Sequence, residues 1–218
     1  MPESSPIFPE ISPKSELQCR VLLDDQILVI DNIFSAAECK AFVKFIDGLP
    51  LQLTPPKKRG EAERHNYRHS VTSVDFASRL HAVFAPHLPL FFPSSGTKGR
   101  NIGTAREAHA LNSNIRLYKY TPLQYFGPHY DDDCRDPTTG AKSEWTLLLY
   151  LTGCEDGVEG GETLFYQNGK GASQDVIKAP LTRGTALLHR HGRDCMLHEG
   201  SPVVRGVKYV LRSDVMFM

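Results

Sequence analysis

The sequence predicts a protein of the α+β class with a mainly β core and flanking N-terminal helices. Beyond residue 111, seven short apolar segments are separated by Gly, Pro, Asp or Asn. Short strands with regular turn signals are typical of a sandwich or a barrel. Before residue 111, apolar residues recur at helical spacing in two segments. We therefore expect helices packed outside a β core that spans about residues 111–218.

The composition is that of an ordinary globular protein. The chain has 218 residues, of which 40% are hydrophobic and 23% are charged, and its formal net charge is zero. One core is sufficient at this length, and zero net charge argues against nucleic acid or an anionic membrane as the main partner. No apolar run reaches the length of about 18 residues that a membrane helix needs.

Targeting and cysteine usage predict a reducing compartment. The N-terminus lacks the basic start and apolar centre of a secretory signal. Five cysteines, an odd number without framework spacing, favour free thiols. We therefore expect a cytoplasmic protein, with the nucleus as the alternative.

The N-terminal half begins with an arm and continues with a strand and two helices. Residues 1–18 are rich in Pro, Ser and Glu and are expected to be a loosely held arm, which leaves residues 19–218 as a single domain. QILVIDNIF predicts a strand. Ser35 and Glu38 form a capping-box pattern in front of AAECKAFVKFIDGL, which predicts a helix. DFASRLHAVFAPHL predicts a second helix.

Two long polar segments interrupt this half of the chain, at residues 54–70 and 93–109. Charge-rich segments are usually solvated loops. Loops of this length within a compact domain are often functional. The alternative is therefore that both segments act as lids over a site.

A metal-binding pattern lies in PHYDDD, at the end of a predicted strand. Alternate residues of a strand point to one face, roughly 6.6 Å apart along the chain, so His129 and Asp131 can approach the same ion. Strand parity alone allows Asp131 or Asp133, and the HxD spacing favours Asp131. His198 in CMLHEG is the candidate third ligand. Two histidines and one carboxylate on one side of an ion are the geometry of non-haem iron(II) oxygenases.

A basic residue follows His198 on an alternating strand. VKYVLRSDVMF places Lys208, Val210 and Arg212 on one face. Burial of an unpaired ammonium is costly. An inward Lys208 therefore needs an anionic partner, such as a dicarboxylate cosubstrate.

Polar side chains also face inward elsewhere. In NIRLYKY, the same rule places Arg116, Tyr118 and Tyr120 on one face. In GGETLFY, a tight Gly-Gly turn precedes a strand that carries Thr163. The inward charged and phenolic groups of NIRLYKY predict a polar ligand inside the barrel.

The chain resembles the catalytic domain of prolyl 4-hydroxylase-type 2-oxoglutarate and iron(II)-dependent dioxygenases. The segments that carry the resemblance are NIRLYKY, YFGPHYDDD, TLLLYLTG, EGGETLFY and HEGSPVVRGVKYVLRSDV. In addition, ILVIDNIFSAAEC resembles the lead-in strand and helix of that family. The resemblance implies a double-stranded β-helix, a cupin-like jelly roll that holds iron at its open end.

The resemblance also implies residue roles. The metal ligands would be His129, Asp131 and His198. The residues that bind 2-oxoglutarate would be Tyr120, Tyr150, Thr163 and Lys208, with Lys208 on the distal carboxylate.

The implied reaction consumes O2 and releases succinate and CO2, with ascorbate as a reductant that keeps iron in the Fe(II) state. Hydroxylation is the default outcome, although desaturation and ring closure use the same type of site. Related halogenases replace the carboxylate ligand with a small residue, so Asp131 argues against halogenation.

The substrate is predicted only as a class. Arg116, Tyr118 and Arg212 are candidates for substrate contact, because a guanidinium binds a carboxylate through two hydrogen bonds. The alternative is that an arginine pairs with Glu162 or Glu199 and has a structural role. We favour a small molecule or an amino acid over a protein, with peptidyl-prolyl hydroxylation as the alternative.

Two other classes compete with this interpretation. A non-catalytic metal-binding jelly roll would keep the histidines but would not need an inward Lys208. A nucleic-acid demethylase could use the basic segment KKRGEAERHNYRH. The neutral net charge and the lack of a broad basic face argue against it.

Overall fold

A computed structural model describes residues 6–15, 17–93, 104–167 and 176–218. The N-terminal part of the chain contains five strands and both helices of the described residues: β1 (Cys19–Leu23), β2 (Ile27–Ile30), α1 (Ala36–Asp47), β3 (Gln52–Leu53), β4 (Arg64–His65), β5 (Tyr67–Thr72) and α2 (Val74–Phe84).

The remaining described residues form the rest of the β core and add short 3-10 helices. The strands are β6 (Ala110–Leu111), β7 (Asn114–Tyr120), β8 (Tyr125–His129), β9 (Lys142–Tyr150), β10 (Glu159–Gly160), β11 (Thr163–Tyr166), β12 (Val176–Lys178), β13 (Ala186–Arg190), β14 (Leu197–Gly200), β15 (Val203–Arg205) and β16 (Lys208–Phe217). The 3-10 helices are Ala85–His87, Cys154–Asp156 and Gly192–Asp194.

Two antiparallel sheets build the core. The larger sheet has the strand order β1-β2-β13-β9-β16-β7-β5-β3, with β6 also paired to β16. The smaller sheet has the order β12-β11-β14-β8-β4, and β10 and β15 form a separate pair. From β7 onward the chain passes repeatedly between the two sheets, which is the topology of a jelly roll. The predicted double-stranded β-helix is therefore confirmed.

The larger sheet is buried on both faces, and alternation along its strands separates two layers of core. Leu147 and Leu149 of β9 belong to the same buried cluster as Phe42 of α1. Tyr150 of β9 packs in a second cluster, with Phe165 of the smaller sheet. One face of β9 therefore carries the helices, and the other faces the interior of the jelly roll.

The two predicted helices are present. Ser35 Oγ accepts a hydrogen bond from the Glu38 backbone N–H, and Glu38 Oε2 accepts one from the Ser35 N–H, so the predicted capping box begins α1. Ser73 caps α2, which ends at Phe84 and continues as a 3-10 turn. None of the helices in the described part of the chain is long and apolar enough to cross a membrane.

The expectation of a loosely held arm is wrong for residues 6–15. Phe8 is 3% exposed, and its ring stacks on Phe76 of α2 with the centroids 4.0 Å apart. Lys14 Nζ lies 2.8 Å from a carboxylate oxygen of Glu38. Apolar burial and an ion pair therefore attach this polar-looking segment to the helices.

The expectation of a loop over residues 54–70 is wrong in its second half. β4 and most of β5 lie in this range, and β5 pairs with β7 from Tyr67↔Lys119 to Thr72↔Asn114. Along β5, exposed polar side chains alternate with less exposed ones near the edge of the larger sheet. In the sequence, a charge-rich strand of this kind resembles a solvated loop. In the second predicted loop, residues 94–103 lie outside the described residues, and Arg106 forms a β-bridge with Phe91.

Candidate metal centre

The smaller sheet brings His129 and His198 side by side. His129 ends β8 and is the register partner of His198 on β14, and their ring centroids are 4.2 Å apart. Asp131 follows the end of β8. Its carbonyl accepts a hydrogen bond from the Gly192 N–H across 2.8 Å, and its own N–H donates to Cys195 Sγ across 3.2 Å. Strand pairing thus positions the histidines, and the segment before β14 positions the carboxylate.

The three side chains present a compact set of donor atoms. His129 Nε2 lies 3.6 Å from Asp131 Oδ1, and His198 Nε2 lies 3.7 Å from Asp131 Oδ2. One ligand atom from each residue lies within 4.8 Å of the other two. Two imidazole nitrogens and one carboxylate oxygen at these separations fit a divalent metal ion.

Backbone carbonyls select the tautomer of both imidazoles. Nδ1 of His129 lies 2.8 Å from the Gly127 carbonyl oxygen, and Nδ1 of His198 lies 3.0 Å from that of Met196. Because a carbonyl only accepts, each Nδ1 carries the hydrogen and each Nε2 keeps its lone pair. Both lone pairs are therefore available to a metal.

The electrostatic environment favours the same protonation states. Burial, together with the charge of His129, lowers the pKa of His198 to about 4, so this imidazole is neutral at pH 7. Burial alone would raise the pKa of Asp131, but the neighbouring Arg212 guanidinium holds it well below its usual range. A neutral imidazole and an ionised carboxylate are the forms that bind metal.

Asp131 has two further partners, whereas Asp133 points elsewhere. Arg212 donates to Asp131 Oδ1 across 2.9 Å, and the Thr146 hydroxyl donates to Oδ2 across 2.9 Å. Asp133 instead pairs with Lys142 at 2.8 Å and is exposed. The structure therefore brings Asp131, rather than Asp133, to the two histidines.

Beside these donors lies a small cavity that Lys208, Tyr120 and Thr163 line. Lys208 is 5% exposed, and its ammonium donates to the Gly161 carbonyl across 2.5 Å. Among the described residues, no carboxylate forms an ion pair with it. Burial lowers the pKa of Lys208 to about 8. The cavity thus holds a buried cation that has no direct ion-pair partner among the described residues, although the more distant Glu162 carboxylate acts against the effect of burial on its pKa.

Gly161 makes the approach of Lys208 possible. Its φ is +74°, and a Cβ at this position would lie 3.0 Å from Val203 Cγ2 and 3.3 Å from Lys208 Cδ. A side chain would therefore be strained and would also crowd the lysine. This explains the Gly-Gly turn that the sequence shows before Thr163.

The match to a known family decides the identity of this arrangement. Residues 115–213 match the sequence profile of the 2OG-Fe(II) oxygenase superfamily, and the match includes the two histidines, Asp131 and Lys208. This match covers the jelly-roll core from β7 to most of β16, and there the chain is similar to the superfamily. The protein is a 2-oxoglutarate-dependent dioxygenase, and the match implies iron(II) and 2-oxoglutarate as its cofactor and cosubstrate.

Solved structures of low sequence identity share the fold. A prolyl-4-hydroxylase from Pseudomonas putida has a TM-score of 0.55 at 14% identity, covering 88% of this chain and 93% of that one. A 2OG-Fe(II) oxygenase-family oxidoreductase from Burkholderia pseudomallei has a TM-score of 0.54 at 15% identity, covering 88% and 85%. A prolyl hydroxylase from Trichoplax adhaerens, in complex with a hypoxia inducible factor peptide fragment, has a TM-score of 0.54 at 15% identity, covering 88% and 84%. No curated protein matches this oxygenase in sequence.

Tyr150 is not among the residues that line the inner cavity, so its contact with 2-oxoglutarate stays a prediction. Its hydroxyl lies 2.7 Å from Thr163 Oγ1, and its side chain is fully buried. Tyr150 therefore lies behind Thr163 and can orient the threonine hydroxyl.

Both inward arginines pair with carboxylates, as the structural alternative expects, but these are not Glu162 and Glu199. Arg116 pairs with Asp214 at 3.1 Å, and Arg212 pairs with Asp131 at 2.9 Å and with Asp214 at 3.5 Å. Asp214 lies on β16, the strand of Arg212, and Asp131 lies at the metal site. Contact of Arg116, Tyr118 or Arg212 with substrate stays a prediction.

Sequence reasoning missed His189 of β13. Its Nε2 lies 3.7 Å from Asp131 Oδ2 and has no hydrogen-bond partner, while its Nδ1 lies 3.0 Å from the Arg190 carbonyl oxygen. His189 also lies within 4.8 Å of Cys195 and His198 in a second group of possible metal ligands. The sequence signal that could have identified His189 is the alternation in TALLHRH, which places His189 on the same face of β13 as Leu187.

Outside the metal centre, a wide cleft opens to the surface. Its walls carry side chains of both charges, with cations in the majority. The cations include Lys57, Lys58, Arg64, Arg68 and Arg116.

Proposed function

We propose that this oxygenase hydroxylates an unactivated C–H bond of a small molecule or a free amino acid. The reaction consumes 2-oxoglutarate and O2 and releases succinate and CO2, and ascorbate keeps the metal reduced. Iron(II), when bound, supplies the oxidising chemistry together with O2 and the cosubstrate. The observation that carries the proposal is the compact set of free donors on His129, Asp131 and His198 beside the buried Lys208.

The inner cavity supports a defined binding mode for 2-oxoglutarate. Lys208 binds the distal carboxylate, because its buried ammonium lines the cavity and has no direct ion-pair partner among the described residues. Tyr120 and Thr163 donate hydrogen bonds to the same cosubstrate. Tyr150 orients Thr163 through the 2.7 Å contact between their oxygens.

Polar contacts around Asp131 prepare the metal site. Arg212 and Thr146 fix both carboxylate oxygens, and the carbonyls of Gly127 and Met196 fix the imidazole rings. Partners of this kind orient ligands and tune their basicity. We infer that the site is organised before the metal binds.

Peptidyl-prolyl hydroxylation is a second candidate. Structures that share the fold are named prolyl hydroxylases, and one of them contains a peptide. The charged walls of the outer cleft favour a polar small substrate instead.

A cytoplasmic location is consistent with five cysteines that are all free thiols.

Product profiling tests the proposal. The protein is incubated with Fe(II), 2-oxoglutarate, ascorbate and separate panels of amino acids, small carboxylic acids, proline-containing peptides and short oligonucleotides. Succinate release stimulated by the first two panels supports it. Stimulation by the peptides alone supports the second candidate, and a requirement for oligonucleotides would contradict both.

A further inference from the structure

Arg64 is held in an unusual environment at the wall of the outer cleft. Its Cζ lies 4.3 Å from the centroid of the Tyr118 ring and 4.4 Å from that of the Phe126 ring. Its Nε donates a hydrogen bond to Asn66 Oδ1 across 2.8 Å. Two aromatic faces and one amide therefore fix the plane of the guanidinium.

The charge of Arg64 has no counter-ion in the described part of the chain. Nη2 is buried and has no hydrogen-bond partner. Asn66 is a neutral amide whose Oδ1 also accepts a hydrogen bond from Thr54. A buried guanidinium nitrogen without a partner is costly, and an anionic ligand would satisfy it.

Unlike Arg64, the neighbouring arginines have a carboxylate partner. Arg116 and Arg212 both contact the carboxylate of Asp214. Burial would raise the pKa of Tyr118, but the charges of Arg64, Arg212 and Arg116 outweigh it and lower the pKa. The mouth of the site is therefore positive, and Arg64 contributes the charge that no carboxylate of the described residues neutralises.

The position of Arg64 is suited to a substrate rather than to the cosubstrate. Arg64 lines the outer cleft, whereas Lys208 lines the inner cavity. Phe126, which lies against the guanidinium, also stacks on His129 with the centroids 3.6 Å apart. One aromatic ring thus separates Arg64 from an imidazole at the metal centre. A small molecule held at Arg64 would place its neighbouring carbons near the metal.

We propose that Arg64 binds the carboxylate of a small carboxylic-acid substrate, such as a free amino acid, at the mouth of the metal centre. This assignment rests on the proposed function and specifies its substrate class. A guanidinium in a fixed plane matches the planar geometry of a carboxylate. An internal proline residue of a peptide has no free carboxylate, so the same feature disfavours peptidyl-prolyl hydroxylation.

Binding measurements on the complete protein test the assignment. Wild-type protein is loaded with Ni(II) and 2-oxoglutarate, which prevents turnover. It is titrated calorimetrically with free L-amino acids, short-chain and aromatic carboxylic acids, the primary carboxamide of each, and inorganic phosphate. We expect at least one carboxylate to bind about 10- to 100-fold more tightly than its carboxamide, as for the loss of a charge-assisted hydrogen bond.

Substitutions assign that preference to Arg64. Arg64→Gln should weaken carboxylate binding by about 10- to 100-fold, and Arg64→Lys should restore part of it. The affinity for 2-oxoglutarate should change by less than about twofold in both variants, which a general loss of structure would not allow. Arg59→Gln is the matched control. It removes the same charge from an exposed residue of the same segment that does not line the cleft.

Several outcomes would overturn the assignment. These are the absence of binding by every acid of the panel, equal affinity for carboxamides, an unchanged affinity in Arg64→Gln, and tighter binding of inorganic phosphate than of any carboxylate. Failure of the wild-type protein to bind Ni(II) and 2-oxoglutarate would instead contradict the proposed function. The two failures are therefore distinguishable.

Discussion

Arg212 donates a hydrogen bond to Asp131 Oδ1 across 2.9 Å, and both side chains are buried. Asp131, which we propose as the carboxylate ligand, is therefore also the counter-ion of a buried guanidinium. This relationship joins the metal site to the stability of the jelly roll. A substitution at Asp131 should therefore affect both metal binding and the stability of the jelly roll.

Asp131→Ala should destabilise the metal-free protein. The substitution leaves Arg212 buried with the more distant Asp214 as its only carboxylate partner among the described residues, and removal of one member of a buried ion pair costs about 3–5 kcal/mol. Urea unfolding without metal measures the free energy of unfolding. Asp133→Ala, which breaks only the part-exposed pair with Lys142, should cost no more than about 1 kcal/mol. Equal stability of Asp131→Ala and wild type would contradict the structural role.

Lys208→Ala should weaken 2-oxoglutarate binding more than metal binding. The substitution removes a charge-assisted contact in a poorly hydrated cavity, which we expect to be worth about 2–4 kcal/mol. Calorimetric titration with Ni(II), followed by 2-oxoglutarate, separates the two affinities. An unchanged 2-oxoglutarate affinity would contradict the role of Lys208.

The pH dependence of 2-oxoglutarate binding should report Lys208. Burial lowers the pKa of this ammonium to about 8 in the free protein, and a bound carboxylate should raise it again. Affinity should therefore be constant below pH 8 and should fall as the pH rises above 8. Near pH 8, binding should be accompanied by proton uptake.

Calorimetry in buffers of different ionisation enthalpy measures that uptake. Lys208→Met provides the control, because it keeps an apolar stem and removes the titrating group. Proton uptake that persists in Lys208→Met would show that another residue binds the proton.

Arg116→Ala should affect stability more than substrate affinity. Arg116 pairs with Asp214, a carboxylate whose side chain is only 2% exposed, so we expect a loss of about 1–3 kcal/mol. KM for a carboxylate substrate should rise less than it does in Arg64→Gln. A larger rise in KM for Arg116→Ala, without a loss of stability, would favour Arg116 as the substrate-binding arginine.

Local patterns predicted much of the fold. Ser35 and Glu38 identify the start of α1, and the alternation in VKYVLRSDVMF places Lys208 and Arg212 on the inner face. These features depend on residues close together in the chain. Sequence spacing also selected His129 and Asp131, although β8 ends at His129 and a loop holds Asp131.

The remaining features depend on contacts between distant segments. Arg64 is in a charge-rich segment that predicts a solvated loop, and only the pairing of β4 with β8 places it on Phe126. Phe8 is in a segment rich in Pro and Ser. It is buried against the ring of Phe76, which is distant in the sequence. The pairing of Arg116 with Asp214 likewise follows from the register of the larger sheet. Local composition carries no signal for such contacts.

We propose that His129, Asp131 and His198 hold iron(II) with 2-oxoglutarate beside it. Anaerobic addition of Fe(II) and 2-oxoglutarate tests this arrangement, since chelation of iron(II) by a 2-oxo acid produces a visible charge-transfer absorption. We expect this absorption in the wild type and in His109→Ala, which replaces an exposed histidine, and we expect its loss in His198→Ala. Equal absorption in His198→Ala, or none in the wild type, would contradict the proposed metal site.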